Sequence, residues 1–535
     1  MTDTIQIMIT MGLYMAVVIG IGILFAKRAN KNSEAYFIGG RTLGPWVTAM
    51  SAEASDMSGW LLMGLPGLAY WCGIADAAWT AIGLGVGTYI NWLITSKRLR
   101  RYSEKAGNAI TLPEFFSNRF HEKSKIVMTV SALFILIFFT VYAASCLVTC
   151  GKLFSTLFGL GYIPMMIIGA VFVLVYTIIG GFLAESASDF MQAVVMIVAL
   201  VIIVITGTVA AGGPGAVIEN AGEIPGFLEF FGIAAPTTAD GVQQVVNGTP
   251  QFGAAGSYGF LNVISALAWG LGYFGMPQVL LRFMAIRTER ELTSSRRIAT
   301  VWVAISLFVA VFIGVMGRVL YPDALLTASS AENIFILLST RLLPPLLAGL
   351  VMAGILAATI SSSDSYLLIA ASAFSKNIYQ GVLHRKASDK QVLWISRITL
   401  LVIAVIAIII ALDENSVIFT IVSFAWAGFG ATFGPLMLFS LFWKRINRAG
   451  AIAGMIGGGC MVFIWNLLIR PLGGIWDIYE LLPAFLFSCL CIIVVSLLTA
   501  PPSEEIQKEF DEVRAGKIKE EQPEMPQISQ MRTDK

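Results

Sequence analysis

The sequence predicts an all-α polytopic membrane protein. It has thirteen transmembrane helices around a core of two inverted five-helix repeats. Three observations carry this. Charged residues make up 13% of the 535-residue chain and the set AVILMFWYC makes up 57%, whereas about 25% of an ordinary soluble domain is charged. Long apolar runs recur along the chain, continuous rather than alternating, which excludes a β-barrel. Two of those runs, five apart, are interrupted by small, acidic and proline residues. The same composition excludes soluble globular, disordered, collagenous and disulfide-scaffold classes.

Runs long enough to cross roughly 30 Å of hydrocarbon fall at 6–26, 43–70, 77–95, 126–150, 160–181, 189–211, 258–281, 298–321, 341–373, 392–412, 416–442, 449–469 and 479–499. An odd number of crossings puts the termini on opposite faces. The first run precedes the first basic residue, Lys27, which is the reverse of a signal peptide, so no cleavable leader is expected. One set of loops and the tail carries 31 of the 35 Lys and Arg residues; the other carries Lys152, Arg318, Arg341 and Arg470. By the positive-inside rule the N-terminus is expected outside and the C-terminus in the cytoplasm. Residues 212–257, on the outer face, hold Glu219, Glu223, Glu229 and Asp240 and no Lys or Arg.

The second run contains Ser51-Ala-Glu-Ala-Ser-Asp-Met-Ser-Gly-Trp60 followed by Gly64-Leu-Pro-Gly67. The seventh contains Trp269-Gly-Leu-Gly-Tyr-Phe-Gly-Met-Pro277. Irregular backbone at membrane depth is tolerated where it lines a cavity or is buried in protein. Two such breaks five spans apart divide the chain into corresponding halves of opposite topology, runs two to six and seven to eleven. That pattern marks an inverted-repeat secondary transporter with a midplane site. The expected organisation is an N-terminal extra helix and cytoplasmic loop over 1–42 and the transport core over 43–442. Two further helices follow over 443–500. The tail, 501–535, is polar and mixed in charge, and is expected to be mostly disordered and solvated.

Few polar groups lie inside the membrane. Glu53, Asp56, Asp189 and Asp364 fall within or at the ends of runs, and intramembrane acids are functional candidates. No basic residue is expected deep enough to pair with them. A buried carboxylate without a base needs a proton or a bound cation, so cation coupling is favoured. Ser361, Asp364 and Ser365 lie at i, i+3 and i+4 on one helix face, and hard cations prefer oxygen ligands. Trp60 follows Asp56 by four residues, Trp269 and Tyr273 are also four apart, and Tyr142 sits in a polar mid-span stretch. These are candidate pocket residues, although most of the 60 aromatics must simply face lipid or core.

Other features are read as structural. The six cysteines lie in or beside apolar runs and are expected to be small buried hydrophobes rather than a disulfide framework. With only His121 and His384, both among loop charges, no histidine metal site or imidazole relay is expected. Asn247-Gly248-Thr249 matches a glycosylation sequon by chance composition.

At these motifs the chain resembles the sodium/solute symporter family, in particular its proline-carrying members. The stretches that carry the resemblance are Ser51 to Gly67, Trp269 to Pro277, Gly354-Ile-Leu-Ala-Ala358 with Ser361, and Ala425-Trp-Ala-Gly-Phe-Gly430. The likeness runs from about residue 8 to 500. It implies a leucine-transporter-type fold of thirteen spans, embedded in the bilayer of the cell membrane. It also implies Na⁺-coupled uptake of L-proline by alternating access. Ala54, Met57 and Ala358 match carbonyl ligands of Na⁺, Ser361 and Ser362 match its hydroxyl ligands, and Asp56 matches an acid that sodium-dependent transport requires. Trp60, Tyr142, Trp269, Tyr273 and Pro277 match the substrate pocket. The chain departs from those members in places. Ser362 stands in place of Thr and Glu53 in place of Gly. Asp364 and Ser365 stand in place of Ser and Cys. Asp189, Asp364 and Ser365 resemble a second sodium site of other members, so a second cation is a further expectation. The loop 212–257 is longer than in those members.

Competing readings are a Na⁺ symporter of another small carboxylate such as pantothenate or a betaine, a membrane sensor, and a channel. Nothing beyond residue 500 is long enough for a fused kinase. Four scattered acids do not form the ring a pore uses. A soluble-type enzyme is not expected, since no histidine triad or Gly-rich phosphate loop is present, and no nucleic-acid partner is expected.

Overall fold

The computed structural model describes residues 3–29 and 32–516. Almost all of it is helix. The first helix, α1 (Asp3–Ala29), faces outward, and Leu13 and Leu24 are exposed. A short α2 (Ser33–Ile38), capped by the Asn32 side chain, leads to a reversal at Gly39 and Gly40, both at positive φ.

The second run is broken as expected. Its first half is α3 (Pro45–Asp56), with Pro45 at the first helical position, where its missing N–H costs nothing. Helical geometry fails at Met57 (φ −85°, ψ 74°). The chain resumes through a wide turn at Trp60–Gly64 into α4 (Leu65–Cys72). After Gly73 come α5 (Ile74–Lys105), α6 (Leu112–Arg119) and α7 (Ile126–Phe158).

The fifth and sixth runs are two helical segments, together labelled α8 (Tyr162–Ala210), that meet at a sharp reversal at Gly181 (φ 62°, ψ −179°), where Tyr176 OH donates back to Ala184 O (3.3 Å) and touches Ser188. The sequence reading placed a turn over 182–188. The chain does turn between the two runs, but at Gly181, and it is already helical over 182–188, with Glu185, Ser186, Ser188 and Asp189 buried along the second segment.

The loop on the side opposite the basic helix ends contains α9 (Pro214–Gly222) and three two-residue antiparallel ladders. It is tied to the end of α4 by Ile74 N to Phe227 O (2.8 Å) and Ala234 N to Cys72 O (3.1 Å). The seventh run begins as α10 (Phe260–Leu267), tightens into a 3₁₀ segment at Ala268–Phe274, and restarts at Pro277 as α11 (Pro277–Ala285). Gly87 of α5 and Gly270 sit back to back. A Cβ on Gly87 would come within 2.4 Å of the Gly270 Cα, so only glycine permits this contact.

The rest is α12 (Leu292–Leu320), the short α13 (Ala328–Ala331) and α14 (Ile334–Leu342), then α15 (Pro345–Ser372). They are followed by α16 (Asp389–Ile410), α17 (Ile418–Phe442), α18 (Arg448–Ile464) and α19 (Leu481–Leu498). Ten helices among the described residues are long and apolar enough to cross a membrane, and Trp60–Cys72 and Tyr162–Ile178 are shorter apolar helices. The span containing α15 is 83% buried, against 28% for α1, so α15 is central and α1 peripheral.

The tail corrects the expectation of disorder over 501–535. Residues Glu504–Ala515 form α20. Ser503 caps its N-terminus, Glu504 and Glu505 occupy its positive first turn, and Gly516 closes it at φ 68°. Ile506, Phe510 and Val513 are buried against the bundle. The remainder of that expectation, from residue 517, lies outside the described residues. Of the six free cysteines, Cys72, Cys146 and Cys150 are buried as expected, whereas Cys460 is exposed and Cys489 and Cys491 are half-buried, which corrects the expectation for those three.

Candidate functional site

The break at Met57 leaves the last turn of α3 facing the middle of α15. Ser361 Oγ donates to the Ala54 carbonyl at 2.8 Å and is 3.2 Å from the Ala358 carbonyl; Ser362 Oγ donates to Ala54 O at 3.3 Å. Ala54, Ala358, Ser361 and Ser362 are therefore one cluster, and all four are fully buried. Met57 N–H donates to Glu53 O (2.8 Å), and its sulfur accepts from Ser306 Oγ of α12 at 3.5 Å. The cluster offers only carbonyl and hydroxyl oxygens and no formal charge. That donor set suits a hard cation of low charge.

The Asp56 carboxylate turns away from those serines toward the other interrupted span. Tyr273 OH donates to its Oδ2 at 2.8 Å and Gln278 Nε2 to its Oδ1 at 3.4 Å. Trp60 Nε1 donates to the Asp56 carbonyl (3.1 Å), and Asn91 of α5 holds the Tyr273 carbonyl (3.0 Å). Tyr273 meets Trp426 of α17 edge-on at 5.0 Å, and the Trp426 indole donates to Trp269 O at 2.8 Å. Trp269 in turn stacks on Tyr479, with ring centres 5.0 Å apart. Tyr142 packs on Tyr366 of α15 at 4.2 Å. The four candidate pocket aromatics and Pro277 thus fall around the breaks, but they do not line one cavity. Trp269 lines a cavity of about 480 Å³ that opens on the side of loop 212–257, together with Gly64, Gly67, Glu332, Arg470 and Tyr479. Pro277 lines a closed pocket of about 10 Å³ with Thr111, Leu112 and Ser372. The arrangement is open toward the loop and shut toward the basic helix ends.

The residues expected at a second cation site, Asp189, Asp364 and Ser365, are also brought together. They surround a base, which corrects the expectation that none lies deep enough. Arg282 of α11 is fully buried. Its guanidinium pairs with Glu185 and with Asp189 Oδ2 (3.2 Å), and donates to Ser365 Oγ (2.8 Å) and Ser51 Oγ (3.0 Å). Ser51 bridges to Asp189 (2.7 Å) and Ser365 to Glu185 (2.5 Å). Asp364 Oδ1 accepts the N–H of Ser365 (2.8 Å). Asp364 Oδ2, Asp189 Oδ1 and Glu185 Oε2 have no hydrogen-bond partner. Three carboxylates thus face one guanidinium. The Gln278 carbonyl also accepts from Arg282 (3.3 Å), so one residue touches both this network and Asp56. Glu53 stands apart. Trp92 Nε1 donates to its Oε1 (3.0 Å), and no basic side chain touches it among the described residues.

Sequence reasoning missed Arg282, Glu185, Gln278, Ser51, Trp426 and Tyr366. Arg282 looked like the first residue of a basic loop, but Pro277 restarts a helix whose second turn carries it inward. Glu185 and Asp189, four apart, would have shared a face had the helix been read as starting just after Gly181. A second buried pair, Lys152 with Glu332 (2.7 Å), joins α7 to the start of α17, where Glu332 also accepts the N–H groups of Ile418 and Phe419 (both 3.0 Å). The sequence reading left Lys152 as an outer-loop charge.

A family model for the sodium:solute symporter family matches residues 36–458. The chain belongs to the sodium:solute symporter family. It is 39% identical over 516 residues to sodium/proline symporters of Staphylococcus aureus strains USA300 and COL, covering 95% of this chain and 96% of each relative. Among solved structures, it matches a Na⁺-coupled sialic acid symporter with a TM-score of 0.74 at 18% identity, over 93% of this chain and 99% of that one. It also matches a nucleobase-cation-symport-1 family transporter with a TM-score of 0.50 at 13% identity, over 89% and 98%. The likeness is therefore to transporters and not to enzymes, and the fold, a helical bundle with interrupted spans, is that of the structural matches.

Proposed function

We propose that this chain carries L-proline into the cell together with Na⁺ by alternating access. The observation that carries the reading is the meeting of two broken helices, where Asp56 at the end of one accepts hydrogen bonds from Tyr273 and Gln278 of the other. A neutral oxygen cluster sits one turn away. Sodium/proline symporters at 39% identity across the chain support the substrate and the coupling ion. In this reading Na⁺ is held by Ala54, Met57, Ala358, Ser361 and Ser362, which bind α3 to α15. The aromatic faces of Trp60, Tyr142, Trp269 and Tyr273, with Pro277, take the compact proline ring. One charge crossing about 100 mV contributes roughly 2.3 kcal/mol. A tenfold Na⁺ gradient adds about 1.4, enough for about 500-fold accumulation per Na⁺.

The same reading assigns thirteen crossings, with two inverted repeats over 43–442, the N-terminus outside and the C-terminus in the cytoplasm. Residues 1–42 and 443–500 contribute helices outside the repeats. A second cation joins Asp189, Asp364 and Ser365 beside Arg282, because one guanidinium leaves two carboxylate charges unbalanced. Radiolabelled proline uptake into proteoliposomes tests the function. Uptake rises with an inward Na⁺ gradient; uptake indifferent to Na⁺ overturns coupling. Stronger competition by pantothenate or a betaine than by unlabelled proline would reassign the substrate.

A further inference from the structure

α20 lies across the basic end of the bundle, over a junction between two sets of helix ends. In the first set, α5 holds the ends of both interrupted spans. Arg100 donates from Nε to Ile286 O (2.8 Å) and from Nη2 to Arg287 O (3.2 Å), and Arg101 pairs with Glu289 (2.6 Å). Arg41, just before α3, donates to Met284 O of α11 at 2.5 Å. The second set comprises α6, the turn after it and the end of α17, where Arg119 Nε donates to Ser440 O (3.2 Å). The two sets also touch where Arg98 donates to Leu441 O (2.9 Å).

α20 grips both sets. Toward the first, Arg101 Nη1 donates to Val513 O (2.8 Å) and Lys105 pairs with Glu512 (2.9 Å). The same Arg101 thus ties Glu289, beside the seventh span, to the negative end of the α20 dipole. Toward the second, His121 meets Glu509 (3.0 Å) and Lys444 pairs with Asp511 (2.5 Å). Phe510, 4% exposed, is wedged at the junction. The guanidinium of Arg119 lies 5.6 Å from its ring centre and 4.9 Å from that of Tyr102 on α5. Beneath this face the pocket beside Pro277 holds only about 10 Å³, against about 480 Å³ beside Trp269 on the opposite side; the groove of about 500 Å³ at Lys444, Asp511 and Glu512 lies at the surface along α20. Alternating access moves one repeat against the other around a fixed site, so opening here separates the two sets that α20 spans.

We infer that α20 is a strap that holds the basic face shut, and that the ion pairs at its two edges set how often that face opens. The inference rests on the alternating-access reading, but its test needs neither Na⁺ nor substrate, so either can fail alone. In a background whose native cysteines are replaced by alanine, Ser372→Cys places a thiol in the closed pocket. Its reaction with a membrane-impermeant reagent is timed from the basic face of vesicles containing the full chain. Adding Asp511→Lys and Glu512→Lys should speed labelling roughly three- to tenfold, the scale of losing two partly exposed ion pairs. Adding Lys444→Asp and Lys105→Glu should restore the slow rate by re-forming both pairs with reversed sign. Raising salt should speed labelling in the Ser372→Cys protein alone, because exposed pairs are screened. A labelling rate indifferent to salt and to the charge reversals overturns the strap. A rate raised by reversal but not restored by the swap overturns its control by these pairs.

Discussion

Two buried clusters lie one turn apart where α15 meets α3, and they handle positive charge in opposite ways. Around Ala54, Ser361 and Ser362 every ligand is a neutral oxygen. Around Arg282, four side chains from α3, α8 and α15 converge on a cation that is part of the chain. The first cluster loses little when no ion is bound, since its hydroxyls already satisfy nearby carbonyls. The second cannot lose its cation without stranding three carboxylates. The mobile ion we propose is therefore assigned to the first cluster. The second is a joint between α3, α8, α11 and α15, whose surplus negative charge is what the proposed second cation would balance.

The sharpest way to break this contrast is Arg282→Met. Removing one partner of a buried pair costs about 3–5 kcal/mol, so a large fall in thermal unfolding temperature in detergent is expected, with uptake lost. A stable variant would mean that the network is slack. Asp56→Asn comes next. The carboxylate gives up charge-assisted bonds from Tyr273 and Gln278, worth about 1.5–3 kcal/mol each. Na⁺-stimulated proline uptake should vanish while membrane insertion is normal; ordinary uptake by this variant would overturn the site. Ser361→Ala should leave stability intact and weaken apparent Na⁺ affinity roughly tenfold, about 1.4 kcal/mol, read from the Na⁺ dependence of uptake. Asp364→Asn should leave folding and the first site alone and lower the Na⁺-to-proline ratio by one. A ratio of one in both proteins would make Arg282 the only cation of its cluster.

The smallest effect concerns pairs in water. The Lys105 ammonium holds the Glu512 carboxyl below the usual carboxylate range, and Glu512 holds Lys105 above its own. A lowered acid contributes fully above its unfolded value and less as pH falls through its folded one. α20 should therefore be most firmly docked near neutral pH and loosen on acidification. Proteolysis of the tail across that pH range measures it.

The spans, the two breaks and the serines of α15 were legible because each leaves a local mark: an apolar run, glycines with a proline, hydroxyls at helical spacing. Arg282 was not legible, because membrane depth is not a local property. Its sequence neighbours read as a basic loop, and only the restart at Pro277 carries it inward. Glu185 was hidden because the expected turn covered 182–188, whereas the chain reverses at Gly181 and is helical again before Glu185. The tail helix carried its signals, Ser503, two glutamates and apolar residues at 506, 510 and 513, but net polarity outweighed them. The pairing of Tyr142 with Tyr366 depends on how α7 and α15 cross, and no spacing within either helix encodes that.

The loop 212–257 is fastened at its base to Cys72 and Ile74, but the hairpin at Val245–Pro250 is not. Val245, Val246, Asn247, Gly248 and Thr249 are exposed, and the chain turns there at Asn247 and Gly248 with positive φ. Such a tip accepts inserted sequence without disturbing what lies beneath it. A short antibody epitope placed between Asn247 and Gly248 would act as a flag on one face of the membrane. Staining of intact cells would then report directly which way the chain is threaded.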